Sequence, residues 1–287
     1  MNFKTNETLE MAMQRNVRDA LMEDVGCGDW TAMLVPGDRR ARALVLAKES
    51  AVVCGRPWFD NCILNLDPDA SIEWSCEEGS EVAAGTVVCR IHSVARALLS
   101  AERAALNFLQ MMSGVAGITR RYVEAIDGVS PNPRGCALLD TRKTLPGLRQ
   151  AQKYAVRIGG GRNHRMALWD GILVKENHIA AAGGIAAALD AARALRSGVD
   201  IQIEVENLDE LRQALDAGAL SILLDDFSFD DMKTAVALNA GRAELEVSGG
   251  VDLGTVRAIA ATGVDRISIG KLTKDVKSVD LSMRFVE

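Results

Sequence analysis

Between residues 141 and 178 the chain sets Arg142, Lys143, Arg162, Arg165 and Lys175 among glycine, proline and asparagine instead of along one face of a helix. Over that span eight Lys or Arg stand against Asp170 and Glu176, a local balance of +6 in a chain whose formal net charge is -6. Arginine offers a rigid fork for carboxylate or phosphate, and lysine a point charge. Gly159–Gly161 let the backbone approach a ligand or another segment closely, and Asn163, His164 and Arg165 follow at once. The pattern reads as a built anion site.

Acids come next. Glu204, Asp225 and Glu246 lie at the ends of successive apolar runs. Three carboxylates brought to one mouth repel unless a cation sits among them, and oxygen ligands beside a phosphorylated substrate suggest magnesium. Salt bridges from the same acids to Arg142, Lys143 and Lys175 are the alternative. Ser248, Gly249 and Gly250 follow the next run and Gly270 the last, the places where barrels commonly bind phosphate. Together these features suit transfer of a group between polyanions. No G-x-G-x-x-G follows a strand to support hydride transfer, and no His/Cys cluster supports zinc.

These residues need elements to position them. Short aliphatic runs recur at 137–143, 171–177, 201–207, 221–227, 245–250 and 266–271, separated in the later part by alanine-rich helical stretches that close on glycine. That alternation predicts βα units and a parallel sheet. In IQIEVE the residues Gln202, Glu204 and Glu206 share one face; so do Glu244, Glu246 and Ser248, and then Arg266, Ser268 and Gly270. One polar face on three such strands predicts a barrel lumen opening on a site, with six strands counted and no closed eight-stranded barrel. Before it, strands at 39–48 and 51–54, a helix from Arg56, a pair of strands over 72–93 and a long helix from about Val94 to Ile126 predict a smaller α+β domain. The domain bounds are set at 1–114, 115–272 and 273–287.

Composition narrows the class. The chain has 287 residues, 48% hydrophobic and 25% charged, as expected of a globular protein with a sizeable core. No run approaches the roughly 18 apolar residues of a membrane span, and residues 1–26 read as a charged amphipathic helix, so no membrane partner and a cytoplasmic location are expected. Six cysteines without a C-x-x-C pair read as reduced thiols. A pI near 5.3 argues against nucleic-acid binding.

The motifs ALMEDVGCGDWT (20–31), ERAALNFLQMMSGVA (102–116), DTRKTLPGLR (140–149), GGGRNHR (159–165), ILVKENHI (172–179), IEVEN (203–207), LLDDF (223–227), EVSGGV (246–251) and ISIGKLT (267–273) together resemble the quinolinate phosphoribosyltransferase family nearly end to end. The resemblance implies an α/β protein: an N-terminal α/β sandwich domain, an incomplete, open parallel α/β barrel, and a C-terminal segment returning to the first domain. It implies a homodimer with an active site shared between subunits. The implied reaction takes quinolinate and phosphoribosyl pyrophosphate, with Mg2+, to nicotinate mononucleotide, pyrophosphate and CO2. By the same resemblance Arg142, His164, Arg165 and Lys175 meet the substrate carboxylates, with Arg103 from the partner subunit. Lys143 serves the pyridine or the pyrophosphate, Glu204 and Asp225 hold ribose and metal, and Ser248, Gly249, Gly250 and Gly270 hold phosphate. Asp226 stands where the family more often has Asn, and Lys271 where it has a small residue. Rival readings are a Schiff-base aldolase using Lys175, a phosphoribosyltransferase for another pyridine, and a non-catalytic anion-binding protein.

Overall fold

The computed structural model describes residues 5–286, so the first four residues of the expected N-terminal helix and Glu287 lie outside the described residues. The chain forms two compact units, residues 1–119 with 144–160 and 273–287, and residues 120–143 with 161–272.

The first unit opens with helix α1 (Leu9–Asp24), capped by the Thr8 hydroxyl, which accepts from the Met11 N–H. Strand β1 (Arg40–Ala47), β2 (Ala51–Val52), helix α2 (Arg56–Leu64), β3 (Ser71–Trp74), β4 (Glu81–Val82) and β5 (Val87–Val94) follow. Alternation along β1 buries Ala43, Val45 and Ala47 and fixes which face meets the core. The single strand pair expected over 72–93 is instead three strands. β3 pairs with β5, placing Trp74 opposite Cys89, while β4 between them pairs with β2. Two left-handed glycines, Gly79 and Gly85, make two turns where the sequence suggested one.

Helix α3 (Ala95–Ile126) then runs unbroken for 32 residues through MMSGVAG. Trp58, Phe59 and Ile63 of α2 and Leu98, Leu106, Leu109 and Met112 of α3 supply the fully buried side chains of this unit. Helix α4 (Arg149–Ile158) also belongs to it, and Gly159 ends that helix. A Cβ at Gly159 would stand 2.5 Å from the Ala116 carbonyl oxygen. This glycine therefore seats one helix against another, the second of the two roles open to it in the sequence. The final strand, β12 (Leu281–Val286), pairs antiparallel with β1, giving a sheet of order β12-β1-β5-β3.

The second unit contains β6 (Ala137–Leu139), β7 (Ile172–Val174), α5 (Glu176–Ala182), α6 (Ile185–Ala194), β8 (Ile201–Val205), α7 (Leu208–Asp216), β9 (Ser221–Asp225), α8 (Phe229–Asn239), β10 (Glu244–Ser248), α9 (Val256–Ala260) and β11 (Arg266–Ser268). All six strands expected from the aliphatic runs form, in parallel, with order β6-β11-β10-β9-β8-β7. A parallel bridge from Leu139 to Arg162 extends the β6 edge, and Arg165 donates from Nη1 to the Gly171 carbonyl just ahead of β7. This is an incomplete parallel α/β barrel. Asn207 and Ser228 cap α7 and α8 directly after β8 and β9, so the chain turns sharply at each strand end. Helix α9 is shorter than its stretch suggested. Among the described residues no helix is long and apolar enough to cross a membrane.

Candidate active site

Strand parity gathers polar side chains into the barrel. Gln202 and Glu204 of β8, Glu246 of β10 and Ser268 of β11 are all buried. Arg266 donates to Ser221 Oγ at 2.8 Å, which puts Ser221, Leu223 and Asp225 on the same face of β9. Apolar Ile203, Ile222, Leu224, Leu245 and Val247 occupy the other face, under the helices.

One member of the cationic set, Lys175, the residue after β7, meets the acidic set. Its Nζ lies 2.8 and 2.6 Å from the two carboxylate oxygens of Glu204, one residue before the end of β8. Glu204 is 8% exposed, so the pair is largely withdrawn from water on the acid's side. Asp225 closes β9, half-buried, and lies opposite Ser248, the last residue of β10. Beyond it Asp226 is left-handed, and its N–H donates to the Ser248 carbonyl. Gly249 packs against this turn at φ 100°, and a Cβ there would come 3.1 Å from the Asp226 nitrogen. Only glycine suits both that angle and that gap. Gly250 completes the turn. Gly270, after β11, lies under Lys143, whose Cδ would be 2.9 Å from a Cβ at this position.

On the β6 side, buried Asp140 accepts from the His164 N–H at 2.9 Å and from the Asn163 amide. Arg165 follows, and burial, then the neighbouring Arg142 guanidinium, lower its pKa. The Arg142 charge that acts on Arg165 would act equally on an anion bound near both. His164 and Arg165 line a cavity of about 690 Å³ with Gln202, Ser221, Glu244 and Arg266 toward the N-terminal ends of the strands, and Lys175, Glu204 and Asp225 do not line it.

Two expectations change in detail. Glu246 is not an acid at the mouth. It is 0% exposed within the lumen, accepting from Gln202 Nε2 at 3.0 Å and lying 3.4 Å from Arg266 Nε. The basic cluster also divides, because Arg149, Lys153 and Arg157 lie on α4 in the first unit. Arg103 belongs to the first unit as well, on α3, lining a cavity of about 330 Å³ with Glu23, Asp24 and Asn107. The sequence reading passed over Asp140, although its position inside DTRK, at a strand end beside the basic residues, was the available signal. All six cysteines are free. Burial pushes the thiols of Cys62 and Cys136 up to about 12, so these two are poor nucleophiles.

Family models for quinolinate phosphoribosyl transferase match residues 29–113 with the N-terminal domain and 115–284 with the C-terminal domain. A probable nicotinate-nucleotide pyrophosphorylase [carboxylating] of Bacillus subtilis is 38% identical, covering 95% of this chain and 93% of its own. Its namesake from Synechocystis is 40% identical, covering 93% of this chain and 90% of its own. The solved nicotinate-nucleotide pyrophosphorylase of Francisella tularensis superimposes with a TM-score of 0.92 at 42% identity, covering all of both chains.

Proposed function

The chain belongs to the quinolinate phosphoribosyltransferase family, and we propose that it transfers the phosphoribosyl group of phosphoribosyl pyrophosphate to quinolinate with decarboxylation, a step of NAD biosynthesis. The observation that carries this reading is the Lys175–Glu204 pair, which joins the carboxylate-seeking side of the barrel to the side that would hold the sugar.

In this reading Arg142, Arg165 and Lys175 form the diacid side with His164 beside Arg165, and the Arg142–Arg165 repulsion is what a dicarboxylate relieves. Glu204 and Asp225 face the ribose. Ser248, Gly249, Gly250 and Gly270 take phosphate on backbone N–H groups, with Lys143 beside Gly270 reaching the pyridine or the pyrophosphate. The pyridine nitrogen attacks C1 of the ribose as pyrophosphate leaves. Fixed carboxylates stabilise the positive charge that develops on the sugar, and preorganised charge of this kind usually accounts for most of the rate enhancement. The ring nitrogen, now cationic, stabilises the electron pair left on the adjacent ring carbon as its carboxylate departs as CO2, and that carbon takes a proton from solvent.

Among the described residues no group of three or more His, Cys, Asp or Glu side chains is placed to hold a metal ion. The donors fit magnesium that arrives on the diphosphate and keeps its waters, with Asp225 and Glu204 the carboxylates that would hold it. When bound, it would neutralise charge on the leaving pyrophosphate. The aldolase alternative is disfavoured, because Lys175 Nζ is engaged by both oxygens of Glu204 instead of standing as a free amine.

The reading extends to a cytoplasmic homodimer in which Arg103 completes the partner subunit's diacid site; its side chain is 59% exposed, with Glu102 at 3.9 Å. Mixing inactive Arg103→Ala and Lys175→Ala chains is expected to restore part of the activity, and no rescue removes Arg103 from a shared site. The direct assay follows nicotinate mononucleotide and CO2 from quinolinate, with nicotinate as the control. Equal amounts of both products from quinolinate, and no mononucleotide from nicotinate, are expected. Absence of product from quinolinate overturns the proposal.

A further inference from the structure

His164 is held at both ring nitrogens. The Arg165 N–H donates to Nδ1 at 2.7 Å. A backbone amide is only a donor, so Nδ1 is an acceptor, and the proton of the neutral ring sits on Nε2. Nε2 faces Gln202 Oε1 at 3.0 Å, with Glu246 Oε1 at 3.4 Å. Gln202 in turn donates from its amide nitrogen to Glu246 Oε2 at 3.0 Å. Turning that amide around would set its oxygen against the carboxylate, so Glu246 fixes the direction of Gln202, and Gln202 fixes the proton on His164. Arg266 lies 3.4 Å from Glu246 by Nε and 2.7 Å from Glu244 by Nη1, so the buried acid has a guanidinium beside it.

We infer that Glu246 and Gln202 are positioning residues. They hold His164 as its Nε2–H tautomer, and His164 then serves as a strut under the Arg165 backbone instead of donating a proton to a substrate carboxylate. The Nδ1–H tautomer would oppose the Arg165 N–H and displace the guanidinium that stands beside Arg142. This inference rests on the proposed diacid site only for its kinetic consequence. The tautomer itself is a property of the free protein.

The test has two arms. The chain contains three histidines, so selective 15N labelling, with His164→Gln for assignment, reads the ring directly. The Nε2–H form is expected in the free protein near pH 7.5 and again with quinolinate bound. An Nδ1–H or doubly protonated ring in either state overturns the inference. In the second arm Glu246→Gln, which lets the Gln202 amide turn, is expected to raise the quinolinate KM about tenfold while the phosphoribosyl pyrophosphate KM stays within about twofold. The exchange Gln202→Glu with Glu246→Gln restores the donor direction and is expected to return the quinolinate KM to within about threefold of the parent. A purely structural loss would make the exchange no better than the single variant, and that result, or an unchanged KM in Glu246→Gln, also overturns it. Should Glu246→Gln fail to fold, the ring spectrum of the parent protein still decides. Lack of quinolinate turnover in the parent would count against the proposed reaction and leave the free-protein spectrum to judge the tautomer.

Discussion

Glu204 and Glu246 are buried in the barrel lumen, and each meets a partner of opposite charge or an amide donor: Lys175 for one, Gln202 and Arg266 for the other. Asp60, on α2 in the first unit, is a carboxyl of another kind. It accepts from Trp74 Nε1 at 2.9 Å, yet burial raises its pKa to about 6 despite the opposing influence of Arg56. Half-buried and bonded to an indole N–H, Asp60 is held by its fold. An acid already paired with a movable lysine can trade that partner for a ligand, and so can the lysine. The contrast separates a polar interior built for binding from one that merely tolerates a charge.

Breaking the lumen set gives the largest effect. Lys175→Ala leaves buried Glu204 without its cation and is expected to lower kcat/KM about a thousandfold, read by steady-state assay. Arg165→Ala removes one guanidinium of the neighbouring pair. The quinolinate KM is expected to rise about a hundredfold with the phosphoribosyl pyrophosphate KM little changed, and equal changes in both would place Arg165 elsewhere.

Asp60 sharpens the other side of the contrast through the pH dependence of stability. Its folded pKa is raised above the ordinary 3.8, so the folded state binds the proton more tightly than the unfolded chain does. Its contribution is present in full below 3.8 and is lost as pH rises through about 6. Asp60→Asn is expected to flatten that fall in urea titrations between these values while leaving turnover alone. The smallest effect belongs to Arg157, an exposed residue of α4 whose guanidinium stands 5.8 Å from the Tyr154 ring centre. Arg157→Ala is expected to keep both substrate KM values within about twofold, although the sequence places it in the same basic cluster as Arg165.

That last case marks what a linear reading can see. The six barrel strands and the polar parity of IQIEVE, ELEVS and RISIG were legible because alternation is local. So was the candidacy of Arg142, Lys143, Arg165, Lys175, Glu204 and Asp225, the residues to which the proposed reaction gives the chemistry. The destination of Glu246 was not legible. Whether an acid sits at a mouth or inside a lumen depends on strand register and on Gln202 and Arg266, which lie 44 and 20 positions away. Local charge density was equally blind to α4 leaving the barrel's run of chain for the first unit. Gly159 shows the same limit, since a glycine that admits a ligand and one that admits a helix look alike in sequence.

The central claim is that the cationic and acidic sides of the barrel act as one unit through Lys175 and Glu204, and a double-mutant cycle on kcat/KM tests it most directly. If the two act together, Lys175→Ala combined with Glu204→Gln falls within about threefold of the more damaged single variant. Losses that multiply would show two independent groups and contradict the account.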